Sequence, residues 1–261
     1  MSTHSWDPDR YLTFADERGR PFVELLSRVG ASDPGLVVDL GCGPGNLTRL
    51  LAQRWPSAQV VGIDADPAMV ATARHVDGIT AEIGDLRDWA EPDPLALRRP
   101  VDVLVTNAAL QWVPGHLDLL PRLVERVAPG GWFAMQVPGN FEEPSHTIRR
   151  DLAAQEPYAA HLTGVHHPAA HDAETYLRVL QGCAAEVDAW ETTYLHVLHG
   201  TDPVYTWVSG TGARPTLLAL PEDLRDGFIT AFKQRLREAY PDDGRGVVLP
   251  FRRVFAVARR G

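Results

Sequence analysis

Lysine is scarce in this sequence: of its 25 basic side chains only Lys233 is a lysine, against 34 acids and a formal charge of −9. A nucleic-acid partner needs clustered Lys and Arg to neutralise phosphates, so that class of function is excluded. Cysteine is nearly absent too. Cys42 and Cys183 are too few for a disulfide framework and suit a reducing cytoplasm. No apolar run approaches the roughly 18 residues that span a bilayer, so no membrane partner is expected. The opening "MSTHSWDPDRYLTF" lacks the basic-then-apolar order of a secretory signal, and a cytoplasmic chain is the expectation. There is no internal repeat and no low-complexity tract. The positive charge present is almost all arginine, whose planar fork pairs with carboxylates at two points.

The remaining composition, 44% apolar and 23% charged, is that of a globular α/β protein. Residues 7–29 read as two helical pieces broken at Pro21, with Asp7 as N-cap. Apolar runs at 36–40, 58–64, 78–86, 101–110 and 130–138 predict five strands, and helical periods at 46–54, 67–76 and 116–128 separate them. Strands alternating with helices predict a parallel, doubly wound sheet. Beyond Pro138 helices are expected at 145–160, 172–182 and within 203–240, and alternating strands at 185–198 and 246–260. The whole reads as a Rossmann-like seven-stranded α/β sheet with an antiparallel final strand and a helical cap. The segments are a helical lid (1–30), a nucleotide-binding core (31–140), a cap (141–182) and closing strands (183–261) with a helical insertion at 201–240.

"VVDLGCGPGNLTRLL" (37–51) carries the first chemistry. Ligands of open α/β sheets sit at the carboxyl ends of the strands, where strand order reverses, so this first βα turn should line a site. Dinucleotide enzymes use G-x-G-x-x-G. Here Gly41, Gly43 and Gly45 alternate, and Asn46 stands where the third glycine belongs. Asp39, two residues before the first glycine, would repel a pyrophosphate but not a cation. Asp64 ends the second strand, where an acid accepts ribose hydroxyls, and Asp85 ends the third, placed for the amine edge of an adenine. Singly each acid also suits a helix N-cap. Three at successive strand ends, with no basic residue for phosphate, match S-adenosylmethionine, which has an ammonium, a sulfonium, a ribose and an adenine. After the fourth strand "TNAALQW" lacks the Pro-Pro-aromatic turn of enzymes that methylate DNA bases. Trp112 is placed for cation–π contact with a sulfonium, and Cys42 is expected to be only small and apolar.

Seven segments carry a closer likeness: "WDPDRYLTFADERGRPFVELLSRV", "VVDLGCGPGNLTRLLAQRWP", "NAALQWVPGH", "QVPGNFEEPSH", "VDAWETTYLH", "TGARP" and "FRRVFAVARR". Together the chain resembles the trans-aconitate 2-methyltransferases, within the class I S-adenosylmethionine-dependent methyltransferases, from about Trp6 to the C-terminus. The resemblance implies methyl transfer to a carboxylate of trans-aconitate, giving a monomethyl ester. It implies cofactor contacts by Asp39, Gly41, Gly43, Asp64, Asp85 and Ala108. Neighbours complete the expected cofactor set: Cys42, Asn46, Ala65, Met69, Gly84, Leu86, Asn107, Ala109 and Trp112. It further implies a lid around Tyr11 and Arg20.

A carboxylate acceptor is ionised at pH 7, its free pKa being about 4, so no catalytic base or nucleophile is expected. The enzyme's task is to hold one oxygen in line with the S–CH₃ bond and dehydrate it. A trivalent anion needs a local cationic pocket. Candidates are Arg20, Arg149, Arg214, Arg252 and Arg253, with Tyr11, His146, Tyr194 and His196 as donors and Gln136 and Asn140 to orient a carboxylate. Arg252 and Arg253 are neighbours on a strand, so at most one should enter the pocket; Arg252 is taken. His161, His166, His167 and His171 lie around a proline without a nearby cysteine, so a loop is expected rather than a metal site. An NAD-dependent oxidoreductase would require G-x-G-x-x-G and an acid at strand four, and neither is seen. Another small acid or hydroxyl acceptor, and a non-catalytic cofactor-binding module, remain open on sequence alone, as does the choice between monomer and homodimer.

Overall fold

The computed structural model describes residues 15–90 and 100–261. Tyr11 and the helical piece around Asp7 lie outside the described residues. Helix α1 spans Ala15–Ser27 and runs unbroken through Pro21, against the predicted break. A proline inside a helix removes one bond, at about 3 kcal/mol. Phe22, Leu25, Leu26 and Val29 recur at helical spacing and are all buried, which offsets that loss. Arg54 then closes the helix end, donating from Nη1 to the Leu26 carbonyl at 2.7 Å and from Nη2 to that of Val29 at 2.8 Å.

Seven strands form one sheet in the order β3-β2-β1-β4-β5-β7-β6. They are β1 (Leu36–Leu40), β2 (Gln59–Asp64), β3 (Thr80–Ile83), β4 (Val101–Asn107), β5 (Val127–Pro138), β6 (Glu186–Leu198) and β7 (Val247–Arg259). The first five pair in parallel. Between them lie α2 (Thr48–Arg54), α3 (Pro67–Ala73), α4 (Leu86–Trp89) and α5 (Leu120–Arg126). Every side chain of β1 is buried, as a central strand covered on both faces requires. Pro121 leaves α5 intact because it sits at the helix start, where its missing N–H has no partner to lose. Strand β5 begins at Val127 rather than 130. The register with β4 shifts between Val101 and Val103, and Gly130, at φ +79°, turns the extra residues.

The last strand is antiparallel to β5. Gly130 N–H donates to Arg260 O at 2.9 Å, and Arg260 N–H donates back to Gly131 O at 3.0 Å. At the other end of the pair, Gly139 N–H bonds Arg252 O at 2.9 Å. Residue numbers thus rise along β5 as they fall along β7.

The chain divides into two compact units, the first Met1–Val137, His171–Glu191 and Val254–Gly261, the second Pro138–Ala170 and Thr192–Arg253. Residues 171–182, grouped above with the cap, thereby join the first unit as α8 (Ala173–Gln181). The second unit holds α6 (Pro144–Ala153), α7 (Ala159–Leu162), α9 (Pro203–Ser209), α10 (Arg214–Ala219) and α11 (Glu222–Ala239). The helix predicted over 145–160 is thus two, separated around Pro157, which cannot continue the first. Phe228, Phe232 and Leu236, four residues apart on α11, form its buried stripe. Among the described residues no helix is long and apolar enough to cross a membrane.

One polar link sets where β1 begins. Asp102 Oδ2, on β4, accepts N–H bonds from both Gly35 and Leu36 at 2.8 Å. Asp102→Ala leaves two N–H groups without their acceptor, and urea denaturation should show a loss of about 1–3 kcal/mol.

Candidate active site

The carboxyl ends of the five parallel strands share one edge, since Leu40 pairs with Ile63 and Thr106, Asp64 with Ile83, and Asn107 with Gln136. Strand order reverses between β1 and β4. The loops following those two strands touch there, because a Cβ on Gly41 would strike the Ala109 methyl. Gly41 N–H and Cys42 N–H both donate to Ile63 O, at 2.7 and 3.1 Å, so the turn is strapped to β2. Gly43 lies at φ +56° with nothing within 4 Å of where a side chain would start. Its backbone is therefore open to a ligand.

The three acids differ in environment. Asp39 is buried, at 2% exposure. Oδ2 accepts from Thr48 Oγ1 at 2.7 Å, while Oδ1 has no partner. Burial pushes its pKa up to about 7; the Thr48 bond opposes this and the nearby Asp64 reinforces it. Asp64 accepts from Gly43 N–H at 2.8 Å and Asp66 N–H at 2.9 Å, and burial raises its pKa. It holds the glycine turn as well as facing the site's edge. Asp85 caps α4 through Arg87 N–H at 2.8 Å and is gripped by the Arg87 guanidinium, which holds its pKa low. Asp85 thus serves its own helix as N-cap, and Arg87 is a partner that sequence reasoning missed.

The remaining cofactor candidates fall in the same unit. Met69 and Leu86 are buried, Asn46 and Gly84 half-buried, and Ala65 exposed. Gly84 N–H bonds Asp64 O at 3.0 Å. Cys42 is buried among Val70, Ala73 and Ala81, and burial drives its thiol pKa up, as an inert, small apolar residue would behave. Asn107 Oδ1 has no partner. Ala108 takes φ +54°, uncommon for a side chain other than glycine. Its N–H bonds Gln136 O at 2.9 Å, and its carbonyl accepts from Gln111 Nε2 at 2.5 Å. Gln111 was not anticipated, although a polar residue amid "AALQWV" is the signal. Trp112 is half-buried on the short 3₁₀ helix Leu110–Trp112. Gln136 is buried, with neither side-chain atom partnered.

Most of the anion candidates lie in the second unit. Asn140 is 1% exposed and both its amide atoms lack partners. His146 is packed on Phe141 and Gly212, and burial, with Arg149 adding to it, brings its pKa down to about 3. Arg149 is 5% exposed. Its Nη1 donates to Thr216 Oγ1 at 2.8 Å and to the His167 ring at 3.0 Å, while Nε has no partner. No acid pairs with it among the described residues, and burial lowers its pKa to about 10. His167, from the histidine-rich loop, is thus an unforeseen member of this cluster. Burial, then Arg149, brings its pKa to about 4. Tyr194 and His196 are both buried on one face of β6, and His196 stacks on Trp207 at 4.7 Å. Of the adjacent arginines, Arg253 is the buried one, its guanidinium 4.4 Å from the Phe251 ring centre, whereas Arg252 is half-exposed. Arg214 is half-buried at the start of α10, and Arg20, in the first unit, is exposed on α1.

The raised pKa of Asp39 has a stability consequence. A carboxyl that ionises less readily folded than unfolded contributes stability at low pH, and that stability is lost as pH rises from about 4 to about 7. Asp39→Asn carries no such penalty. Its melting temperature relative to the wild type, both ligand-free, should therefore rise between pH 5 and pH 8 in scanning calorimetry.

Comparison with known proteins gives the family and the fold. Residues 37–131 match the model of a methyltransferase domain. The trans-aconitate 2-methyltransferase of Streptomyces avermitilis is 49% identical over 98% of this chain and 97% of its own length. That of Mycobacterium tuberculosis is 47% identical over 98% and 97%. Among solved structures, the YcgJ protein of Bacillus subtilis superposes with a TM-score of 0.59 at 12% identity, covering 92% of this chain and 98% of that one. A Haemonchus contortus phosphoethanolamine N-methyltransferase, solved with S-adenosylhomocysteine, gives 0.52 at 15% identity, covering 93% of this chain and 53% of that one. These two likenesses concern the fold alone. The near-full-length identity to the curated relatives goes further, and the chain belongs to the trans-aconitate 2-methyltransferase family.

Proposed function

We propose that the chain catalyses transfer of the sulfonium methyl of S-adenosylmethionine to one carboxylate of trans-aconitate, giving a monomethyl ester and S-adenosylhomocysteine. The residues at the sheet edge fit that cofactor. Asp39 offers an unpartnered carboxylate oxygen suited to an ammonium, Gly43 an open stretch of backbone, and Asp64 an acid at the second strand end. Arg87, the basic side chain beside them, is already engaged by Asp85, which leaves little to attract a pyrophosphate. When bound, S-adenosylmethionine supplies an electrophilic methyl on a positive sulfur. Asp39 and Asp64 hold its cationic and ribose ends, and Trp112 offers an aromatic face.

The acceptor's chemistry rests on one observation, the buried Arg149 without an acidic partner. An uncompensated interior charge is costly unless an anion joins it. Thr216 and His167 occupy Nη1 and so orient the guanidinium, leaving its Nε edge for the two-point grip of a carboxylate. Arg149 thus holds a carboxylate that is not methylated. Asn140, in the same unit as Arg149, offers an amide to orient a further carboxylate oxygen. The reacting carboxylate arrives ionised, so the chain positions and desolvates it and removes no proton.

Labelled cofactor incubated with trans-aconitate should yield a labelled monomethyl ester. A panel of monocarboxylates should not, because they lack a second group for Arg149. Arg149→Ala should raise the KM for the acid about 10- to 100-fold, the loss of a charged hydrogen-bonding partner, with cofactor affinity unchanged by calorimetry. An unaltered KM would remove Arg149 from the site.

A further inference from the structure

Outside the residues assigned so far, the first unit contains a buried histidine and a buried tyrosine in direct contact. His116, 3% exposed, opens the short 3₁₀ helix His116–Leu119, and Tyr176, fully buried, lies on α8. His116 Nδ1 is 3.2 Å from the Val113 carbonyl and Nε2 is 2.7 Å from Tyr176 Oη. A carbonyl only accepts, so Nδ1 carries the proton, and a neutral ring then leaves Nε2 as an acceptor. The Tyr176 O–H is therefore the donor to Nε2. Its oxygen in turn accepts the His171 backbone N–H at 3.2 Å. The bonds all run one way, from the His171 N–H through Tyr176 and His116 to the Val113 carbonyl, with Tyr176 Oη both accepting and donating. Burial lowers the His116 pKa and raises that of Tyr176 to about 12, which keeps both neutral at pH 7.

The chain of bonds ends at a telling place. Residues 107–112 run from the last residue of β4 into the loop at the strand-order reversal. Their upstream end is tied by Ala108 N–H to Gln136 O. Inside, Trp112 N–H bonds Ala109 O and Val113 N–H bonds Leu110 O, at 3.0 and 2.9 Å. Downstream the chain turns through Gly115, at φ +66°, and is held by His116. We propose that His116 and Tyr176 are a positioning pair that fixes the downstream end of the cofactor-facing segment 107–112 against α8, and so sets cofactor affinity without touching the cofactor. The inference rests on the cofactor reading of that segment.

Tyr176→Phe keeps the ring and deletes the oxygen that links His171 to His116. It should raise both KM and the calorimetric Kd for S-adenosylmethionine about five- to tenfold. The same variant should keep kcat within about twofold, KM for the acid unchanged, and Tm within about 4 °C. His116→Asn keeps an amide donor for Val113 but has no counterpart of Nε2, and should reproduce the shift. The double variant should be no worse than either single one, because both lose the same bond. Unchanged cofactor affinity in folded Tyr176→Phe overturns the proposal. So does a fall in Tm and kcat with KM unmoved, the signature of a merely structural pair, and so do effects that add. A wild-type protein that takes up no cofactor would instead strike the reading of the segment itself, a result visible before any variant is made.

Discussion

A carboxylate kept where water does not reach it organises the first unit. Asp39 sits on the central strand β1, every side chain of which is buried. An ionised acid in such a place is unstable unless something bonds it. Thr48, in the first turn of α2, supplies one bond and thereby fixes how the intervening glycines must run. Asp64 closes the same turn from β2 through the Gly43 N–H. The path of the turn is thus set by these two acids together with the Ile63 carbonyl, while the glycines permit it. The unpartnered Asp39 oxygen is the unspent part of this arrangement, and it is the atom proposed to meet the cationic end of the cofactor.

The second unit presents the opposite sign by the same device. Arg149 is buried beside a hydroxyl and an imidazole, neither of which cancels its charge. A protein with a net charge of −9 does not attract a trianion through its overall field. Affinity has to come from a few desolvated donors, where each bond to a carboxylate is worth most. Each unit therefore stores a buried charge suited to one substrate, a cation in one case and an anion in the other.

Much of this was legible in the sequence. Strands β1 and β4 are continuous apolar runs, the glycine turn falls where a parallel sheet places ligands, and the acids at 39, 64 and 85 mark the strand ends. What was not legible depends on long-range contact. The continuity of α1 through Pro21 comes from four apolar residues packed away from water, a gain that local propensity does not register. Alternation along β7 showed that Arg252 and Arg253 face opposite ways but not which way is inward; packing on Phe251 decides for Arg253. His167 and Thr216 lie 18 and 67 residues from Arg149, so no spacing rule connects them. Arg87 was within reach, two residues from the acid it holds, and was overlooked because Asp85 was read for its ligand rather than for its own helix.

The histidines around Arg149 are kept neutral by their surroundings. His146 and His167 have pKa values brought to about 3 and about 4, so at neutral pH both are uncharged. A protonated His167 would repel the guanidinium and lose the lone pair that accepts its N–H. Neutral, it steers the guanidinium and adds no second positive charge. The cationic character of the cluster then comes from arginine, which does not titrate in the working range. A carboxylate nucleophile is likewise ionised throughout that range. Neither the acid nor the groups proposed to hold it change protonation near pH 7, whereas Asp39, on the cofactor side, does. Of the buried groups proposed to meet the two substrates, Asp39 is thus the one brought close to neutrality by its surroundings.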